Sequence, residues 1–333
     1  MAYVVLARKY RPQTFKDFIG QEAIATTLAN SIETDRVAHA YLFCGPRGVG
    51  KTSMARVFAK ALNCAKGPTT APCGECDMCR AIATGNDVDV IEIDGASNRG
   101  IDEVREIRQN VKYAPSRSRF KIYIIDEVHM LTEPAFNALL KTLEEPPSHV
   151  KFILATTAPA KLPETIHSRL QRFTFRRVDV KTLLQHLRSL CEQEKVQVGD
   201  DVLALVARQA RGSVRDSLSM LDQTLAFCSA DMSLSSAALC LGALSDDDLG
   251  KMVDAIAAGD AATALMLADG TLQRGVGVGD TLQQLMAMTR DLMVARHCGG
   301  GAGLLDRSAE AAQAIARRAQ AFTPEALTYM IQC

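Results

Sequence analysis

Residues 45–52 are a run whose types and spacing could bind a polyphosphate, because they fit the pattern G-x-x-x-x-G-K-S/T without a departure. The glycines let the backbone turn tightly and aim N–H groups at phosphate oxygens, and the start of a following helix adds to the attraction. In such a loop Lys51 reaches the β- and γ-phosphates and the Thr52 hydroxyl ligates Mg²⁺. The predicted nucleotide-binding residues are Gly45, Pro46, Arg47, Gly48, Val49, Gly50, Lys51, Thr52 and Ser53.

Two adjacent carboxylates, Asp126 and Glu127, follow the apolar run Lys121–Ile125. At the end of a strand, Asp126 would hold Mg²⁺ through its water shell, and Glu127 would orient and deprotonate an attacking water. A solvated Asp-Glu turn after a buried strand is the plain alternative. Thr157 follows another apolar run and is a candidate sensor of the γ-phosphate or the water, although β-branched residues are also common in strands without a function.

Four cysteines form the pattern C-x8-C-x2-C-x2-C: Cys64, Cys73, Cys76 and Cys79. Two-residue spacings let neighbouring thiolates point at one ion, and four thiolates make a closed tetrahedral Zn²⁺ site. An iron–sulfur cluster is the rival, although the C-x3-C-P segment that often accompanies this spacing is missing. We therefore predict a structural zinc module at residues 64–79. The remaining cysteines stand singly among apolar residues and are expected in the core: Cys44, Cys191, Cys228, Cys240, Cys298 and Cys333.

These residues need a scaffold, and the alternation of apolar runs predicts one of the α/β class. The predicted strands are Tyr41–Cys44, Val88–Ile93, Lys121–Ile125, Phe152–Thr156 and Arg172–Phe175. The predicted helices between and beside them are Thr52–Leu62, Ile101–Val111, Glu133–Leu143 and Pro163–Ser168. Near-continuous apolar strands predict a parallel five-stranded sheet covered on both faces, with ligands at the carboxyl ends of its strands.

The second half of the chain carries only helical spacing. We predict a nucleotide-binding domain at residues 1–178, a small helical lid domain at 179–242 and an all-α domain at 243–333. The last six residues continue a helical pattern without a stop signal, which favours a piece of a longer protein.

Composition excludes little beyond membrane proteins. Lys plus Arg equals Asp plus Glu at 38 each, so the net charge predicts no partner, although residues 1–60 are locally basic. No run approaches the ~18 apolar residues of a membrane span, and the N-terminus lacks the order of a signal peptide. We expect a cytoplasmic protein, in which the ten cysteines are not expected to form disulfides.

Five stretches resemble the AAA+ ATPase superfamily and, more closely, the gamma/tau subunit family of the bacterial DNA polymerase III clamp loader. They are Leu6–Phe15, Gly45–Thr52, Asp126–Leu131, Phe136–Pro147 and Leu154–Thr157. The resemblance spans residues 1 to about 241 and is looser beyond. It implies an ATP-hydrolysing motor subunit of the DNA polymerase III holoenzyme, which couples ATP binding and hydrolysis to loading of the sliding clamp onto primed DNA. It also implies a zinc module where the cysteines lie.

The resemblance assigns further roles residue by residue. Thr157 corresponds to sensor 1, Arg215 to sensor 2 in its own subunit, and Arg169 to an arginine finger that reaches a neighbour's ATP. The family usually has Ser-Arg-Cys at the finger, and Leu170 stands here in place of the Cys. The adenine pocket would be lined by Arg11, Pro12 and the segment Val37–Tyr41.

The same resemblance implies the partners. These are the delta and delta prime subunits, further gamma/tau copies, the sliding clamp, and primed-template DNA bound without sequence preference. The third domain would be the collar that assembles the ring. A basic stripe could track DNA phosphates or could be a solvated helix face, and its members are Arg105, Arg108, Lys112, Arg117, Arg119 and Lys121.

Two rival functions stay open at this point. The residues Asp126–His129 also imitate the D-E-x-H box of helicases, but no second sheet-forming half follows in the sequence. A non-hydrolysing scaffold of the same ring is the other rival, which the intact Lys51, Asp126 and Arg169 disfavour.

Overall fold

The computed structural model describes residues 3–167, 169–228, 232–298, 305 and 309–332. The chain forms two compact units. The first consists of Met1–Thr182 and Gly212–Asp216, and the second of Leu183–Arg211 and Ser217–Cys333. The division into three domains at residues 178 and 242 stays a prediction.

The first unit is built on a parallel five-stranded sheet, as predicted. Its strands are β1 (Ala40–Cys44), β2 (Val90–Asp94), β3 (Lys121–Asp126), β4 (Val150–Thr156) and β5 (Gln171–Thr174). They lie in the order β2-β3-β4-β1-β5. Every residue of β1 and β4 is buried, whereas β2 and β5 alternate or are mostly exposed, as expected for edge strands.

Side chains on alternating positions of the strands enter two separate cores. Tyr41 and Phe43 of β1 pack on one face of the sheet, and Leu42 packs on the other. The first face is covered by helices α2 (Glu22–Glu33) and α3 (Lys51–Asn63), and the second by α5 (Ile101–Asn110) and α6 (Glu133–Glu144). The prediction of a sheet covered on both faces is confirmed. The other helices of this unit are α1 (Leu6–Lys9), α4 (Asp77–Thr84) and α7 (Glu164–His167).

Some element boundaries differ from the predicted ones. Strand β2 begins at Val90, because Val88 lies in a turn and is 59% exposed. Helix α4 was not predicted, since its first turn lies inside the cysteine pattern. The predicted helix Pro163–Ser168 is the single turn α7, and Ser168 is outside the described residues.

The described part of the second unit contains helices and no strand. The first residues of α8 (Val180–Glu194) and of α10 (Val214–Phe227) belong to the first unit and the rest of both helices to the second. The other helices of the second unit are α9 (Asp200–Gln209), α11 (Leu234–Cys240), α12 (Asp246–Ala257), α13 (Ala261–Gln273), α14 (Val278–His297), α15 (Ala309–Ala319) and α16 (Pro324–Gln332). Residues of α12, α14, α15 and α16 share one apolar core. Among the described residues, no helix is both long and apolar enough to cross a bilayer.

The cysteines outside the predicted zinc module are not all core residues. Cys44, Cys191 and Cys228 are buried as predicted, and Cys240 is half-buried. The prediction for Cys298 is wrong: it caps the end of α14 and is exposed. Cys333 lies outside the described residues.

A buried carboxylate holds the turn that leads into β3. Both oxygens of Asp89, which is 1% exposed, accept backbone N–H groups from Ser116, Arg117 and Ser118 at 2.7–2.9 Å. Burial alone would raise the pKa of Asp89, but these donors together bring that pKa below its ordinary value. Asp87 supports the same turn through an ion pair with Arg117 at 2.7 Å.

The Asp89→Asn variant should therefore lower the free energy of unfolding of the first unit by about 3 kcal/mol, since buried N–H donors lose a charged acceptor. Because the folded-state pKa lies below the unfolded one, this contribution is complete above about pH 4 and disappears as the pH falls through the folded-state value. Urea unfolding followed by circular dichroism at pH 7 and at acidic pH measures both effects. Asp102→Asn, at an exposed ion pair, is the control and should change little; equal stability of both variants at pH 7 would contradict the assignment.

Candidate nucleotide-binding site and metal centre

The strand order brings the predicted site residues to one edge of the sheet. Strand β4 lies between β1 and β3, so the loop after β1 and the carboxylates after β3 flank the end of β4. In the register, Cys44 pairs with Thr156, Ile125 with Leu154 and Asp94 with Asp126. The strand ends are therefore level to within one residue, which sequence alone could not show because it does not give strand order.

The loop at residues 45–50 has the backbone that its glycines permit. Gly48 and Gly50 have φ values of 76° and 100°, a region that side chains disfavour. Gly50 stands immediately before helix α3, so that the helix N-terminus opens toward the loop. A methyl group at Gly48 would collide with the Ser213 hydroxyl.

Lys51 is buried inside this loop and bonds to its backbone. The ammonium donates to the carbonyl oxygens of Gly45 and Pro46 at 2.8 Å each. Burial lowers the pKa of Lys51, and the carboxylates of Glu127 and Asp126 act in the opposite direction. Lys51 is only 6% exposed, so its charge faces the loop and the two carboxylates rather than bulk water.

The predicted Mg²⁺ ligands are in direct contact. The Thr52 hydroxyl donates to Asp126 Oδ2 at 2.5 Å across the space between α3 and β3. A hydroxyl and a carboxylate are oxygen donors of the kind that Mg²⁺ takes in nucleotide sites. These two residues thus fit a magnesium site. They are 74 positions apart in the chain, and the fold brings them together.

Glu127 is held in a strained turn by the neighbouring strand. Its φ is 45°, which is uncommon for a residue other than glycine. Its Oε2 accepts the Thr157 hydroxyl at 2.7 Å and the Thr157 N–H at 3.2 Å. Thr157 and the candidate base are therefore brought together as a hydrogen-bonded pair.

Sequence reasoning missed His129 as part of this site. Its Nδ1 lies 3.4 Å from Glu127 Oε2 and 2.9 Å from the Thr156 hydroxyl, and its side chain is 8% exposed. The short 3₁₀ turn Val128–Met130 folds the imidazole back over the strand ends. The D-E-x-H spacing was a signal, but it suggested a helicase box rather than a contact to the Glu.

The segment Gly212–Asp216 belongs to the first unit and lies against the loop. The N–H of Arg215 donates to the Gly48 carbonyl at 3.1 Å. Burial lowers the pKa of Arg11, and the nearby charges of Arg56 and Arg215 lower that pKa further. Arg215 and Arg11 therefore stand near the predicted phosphate loop, and Ser213, which contacts Gly48, was not predicted.

The rest of the predicted adenine pocket is partly inaccessible. Ala40 and Tyr41 are buried, and the Tyr41 ring meets Phe58 edge-on with centroids 4.9 Å apart. The Tyr41 hydroxyl accepts the Ala38 N–H at 2.8 Å. Pro12 and Val37 are half-buried, so only the first part of the segment is accessible.

The predicted finger Arg169 lies beyond α7 and is exposed. Its guanidinium pairs with Glu144 at 3.0 Å and donates to the Thr165 carbonyl at 2.5 Å. The neighbouring Leu170 is 7% exposed and packs in the core. The Leu that replaces the family's Cys therefore anchors the turn that presents Arg169.

The four predicted metal ligands converge. The Sγ atoms of Cys64, Cys73, Cys76 and Cys79 all lie within 4.8 Å of one another, with Cys64 and Cys73 3.6 Å apart. A tetrahedral ZnS₄ centre with Zn–S bonds of about 2.3 Å has S···S edges of about 3.8 Å, so the set fits zinc. The N–H groups of Cys76 and Glu75 lower the pKa of Cys73 to about 6, whereas burial raises that of Cys79.

Part of the basic stripe makes contacts within the chain, one of them to the cysteine centre. Arg119 donates to the Cys64 carbonyl at 2.8 Å, and Arg117 pairs with Asp87. Lys121 donates to the carbonyl of Asn110. Helix α5 ends at Asn110, so Lys112 lies beyond the helix. The last three members also lie beyond the helix, because Arg117 and Arg119 stand in the segment before β3 and Lys121 is its first residue. Contact of this stripe with DNA stays a prediction. Arg108 is exposed on α5, and Arg105 pairs there with Asp102.

The fold has counterparts among solved structures. The Holliday junction branch migration motor RuvB of Thermotoga maritima superposes with a TM-score of 0.52, covering 74% of this chain and 79% of that one at 18% identity. At this identity the likeness concerns the AAA+ fold alone.

Three family models match consecutive parts of the chain. They are described as DNA polymerase III, delta subunit (residues 20–179), DNA polymerase III clamp loader subunit, ATPase lid domain (182–230), and DNA polymerase III subunits gamma and tau domain III (232–333).

Curated relatives agree with these matches. DNA polymerase III subunit tau of Bacillus subtilis is 45% identical over 92% of this chain, and that of Escherichia coli is 49% identical over 83%. The chain spans 54% and 43% of those two relatives, about half their length. DNA polymerase III subunit gamma of Buchnera aphidicola is 41% identical over 86% of this chain and 79% of its own length. Because three family models match consecutive parts of the chain and one relative is matched over most of its own length, the chain belongs to the gamma/tau family of DNA polymerase III clamp loader subunits.

Proposed function

We propose that this chain is the ATP-hydrolysing motor of a DNA polymerase III clamp loader. The observation that supports this most directly is the meeting of Lys51 and Thr52 with Asp126 and Glu127 at one edge of the sheet. A cation, a hydroxyl and two carboxylates are the groups that phosphoryl transfer to water needs, because its catalysis depends on positioning and charge neutralisation.

In this proposal, side chains at the site give up hydrogen bonds within the chain when the nucleotide binds. Lys51 leaves the carbonyls of Gly45 and Pro46 for the β- and γ-phosphates, and the loop's N–H groups bind the same phosphates. Thr52 and Asp126 hold Mg²⁺, which neutralises phosphate charge when bound. Glu127 leaves the Thr157 hydroxyl and accepts the proton of the attacking water.

Other residues complete the site as sensors and pocket walls. Thr157 acts as sensor 1: its hydroxyl bonds to Glu127 here and turns to the γ-phosphate when ATP binds, which releases the base. Arg215 acts as sensor 2, and its backbone contact with Gly48 supports a place beside the phosphates. Arg11, Pro12 and the accessible part of Val37–Tyr41 line the adenine pocket. The cysteine set holds Zn²⁺ as a structural ion, since four thiolates leave no open position.

Arg169 acts in trans, on ATP bound to a neighbouring subunit. It is exposed and is tied only to Glu144 and Thr165 of its own chain in the contacts described above. The partners are the delta and delta prime subunits, further gamma/tau copies, the sliding clamp and primed-template DNA without sequence preference. The three domains bounded at residues 178 and 242 are supported by family models that meet near 180 and 231.

The helicase alternative has less support from the fold. A helicase of the D-E-x-H type needs a second sheet-forming half, and all five strands of the described chain lie between residues 40 and 174. A scaffold would not need Lys51 near the two carboxylates or Glu127 bonded to Thr157.

The test is ATP turnover of the chain alone and then with delta, delta prime, sliding clamp and primed DNA. We expect slow turnover alone and strong stimulation by the full mixture, because the finger is supplied by a neighbour. Substantial turnover alone that is indifferent to clamp and DNA would leave an ATPase with another client.

Lys51→Ala should abolish ATP binding or hydrolysis, because the loop loses the cation that pairs with the β- and γ-phosphates. Fluorescent-nucleotide binding and phosphate release measure this, and circular dichroism should show unchanged helix content. The control Lys16→Ala removes an exposed lysine and should behave as wild type. Unchanged turnover in Lys51→Ala would reject the site.

Arg169→Ala should retain ATP binding and lose ring-stimulated hydrolysis by ~10³-fold or more, the effect of removing a finger supplied in trans. Arg188→Ala, which breaks another surface ion pair, is the control. An equal loss of binding would mean that Arg169 acts in its own subunit or supports the fold.

Cys73→Ser should reduce the zinc content from about one ion per chain to near zero, since a structural site needs all its thiolates. Metal analysis by mass spectrometry measures this against Cys298→Ser, which replaces an exposed cysteine outside the cluster. Iron and sulfide in the wild-type protein would favour the iron–sulfur alternative.

A further inference from the structure

Lys60 is a buried charge that the proposed nucleotide chemistry does not use. It lies on α3, one turn before Cys64, and is 2% exposed. Burial lowers the pKa of Lys60, and the charges of Cys79 and Asp17 oppose that effect. A buried ammonium needs acceptors and a nearby negative charge to be tolerated.

The acceptors of Lys60 come from the segment before α2, far away in the chain. Its Nζ donates to the carbonyl oxygen of Gln13 at 2.7 Å and to Gln13 Oε1 at 2.8 Å. The Gln13 side chain also bonds to Arg11, because its Nε2 donates to the Arg11 carbonyl at 2.9 Å. One continuous set of hydrogen bonds therefore joins Lys60 to Arg11.

The negative charge comes from the cysteine centre. A zinc ion with four thiolates carries a net negative charge, because the thiolate charges exceed that of the ion. Asp17 is also near, but its Oδ2 already accepts the N–H groups of Gln13 and Thr14 at 2.8 Å. The centre and Lys60 are joined directly at the end of α3, where the N–H of the ligand Cys64 donates to the Lys60 carbonyl oxygen at 2.8 Å.

We propose that Lys60 and Gln13 couple the metal centre to the nucleotide site, so that an occupied cysteine centre holds Arg11 and Pro12 in position for the base. This rests on the proposed function, which places Arg11 and Pro12 at the adenine. Lys60 and Gln13 are positioning residues, because they hold the segment that contains Arg11 and Pro12. The bound metal fixes the end of α3 and thereby the position of Lys60.

The experiment compares nucleotide affinity with and without the metal. Wild type, Lys60→Met and Lys66→Met are prepared zinc-loaded and metal-stripped, with zinc content measured and Mg²⁺ restored equally. Lys60→Met keeps the apolar stem and removes the charge, and Lys66→Met makes the same change at an exposed site beside the module. Affinity for a fluorescent ADP analogue is measured by anisotropy, so no turnover is needed.

We expect metal removal to weaken ADP binding about tenfold in wild type and in Lys66→Met. A change of this size corresponds to about one net hydrogen bond between the positioned segment and the nucleotide. Zinc-loaded Lys60→Met should bind as weakly as stripped wild type and lose little more when stripped. Equal weakening of Lys60→Met and wild type on stripping would overturn the proposal. So would wild-type affinity that does not change with zinc.

A second variant guards against misfolding of Lys60→Met. Gln13 is exposed, so Gln13→Ala should fold normally, and it removes the amide that joins Lys60 to the Arg11 carbonyl. It should show the same loss of metal dependence, and retained dependence would overturn the coupling. Failure of the proposed function gives a different result, because Lys51→Ala would then bind ADP as well as wild type whatever the zinc content.

Discussion

The burial of helix α3 is the constraint on which the rest of the first unit depends. Ten of its thirteen residues are buried, from Lys51 at its start to Asn63 at its end. A helix buried on nearly every side cannot shift or tilt without disturbing both the sheet and its cover. Its N-terminus therefore fixes the phosphate loop in space, and the residue after its C-terminus, Cys64, begins the metal centre. Two polar sites are held at the ends of one rigid apolar element.

The sheet provides the second half of the site by placing one strand between two others. Because β4 separates β1 from β3, Thr156 and Thr157 stand between the phosphate loop and the carboxylates. The strained backbone at Glu127 is tolerated because Thr157 and His129 both contact its carboxylate. The same contacts engage the candidate base until another group competes for Thr157.

Several charged groups in this fold bind backbone groups of distant segments. Asp89 holds the turn before β3 through N–H groups, Arg119 holds the end of α3 through a carbonyl, and Lys60 holds the Gln13 segment. Charge-assisted bonds of this kind are stronger than neutral ones and fix a loop at few points. Two members of the basic stripe, Arg119 and Lys121, are held by such bonds to backbone carbonyls.

The phosphate loop, the paired carboxylates and the cysteine pattern could be predicted from sequence because each is a local spacing of residues whose chemistry needs that spacing. The parallel sheet and its two covered faces followed from apolar periodicity, which is also local. Strand order, the contact of Thr52 with Asp126, and the places of His129 and Ser213 could not be predicted, since each depends on chain segments meeting at long range. Sequence by itself thus determined which groups are present and on which elements they lie. Only the tertiary structure decided which of them touch, because a side chain's partner is set by the packing of elements and not by its neighbours in the chain.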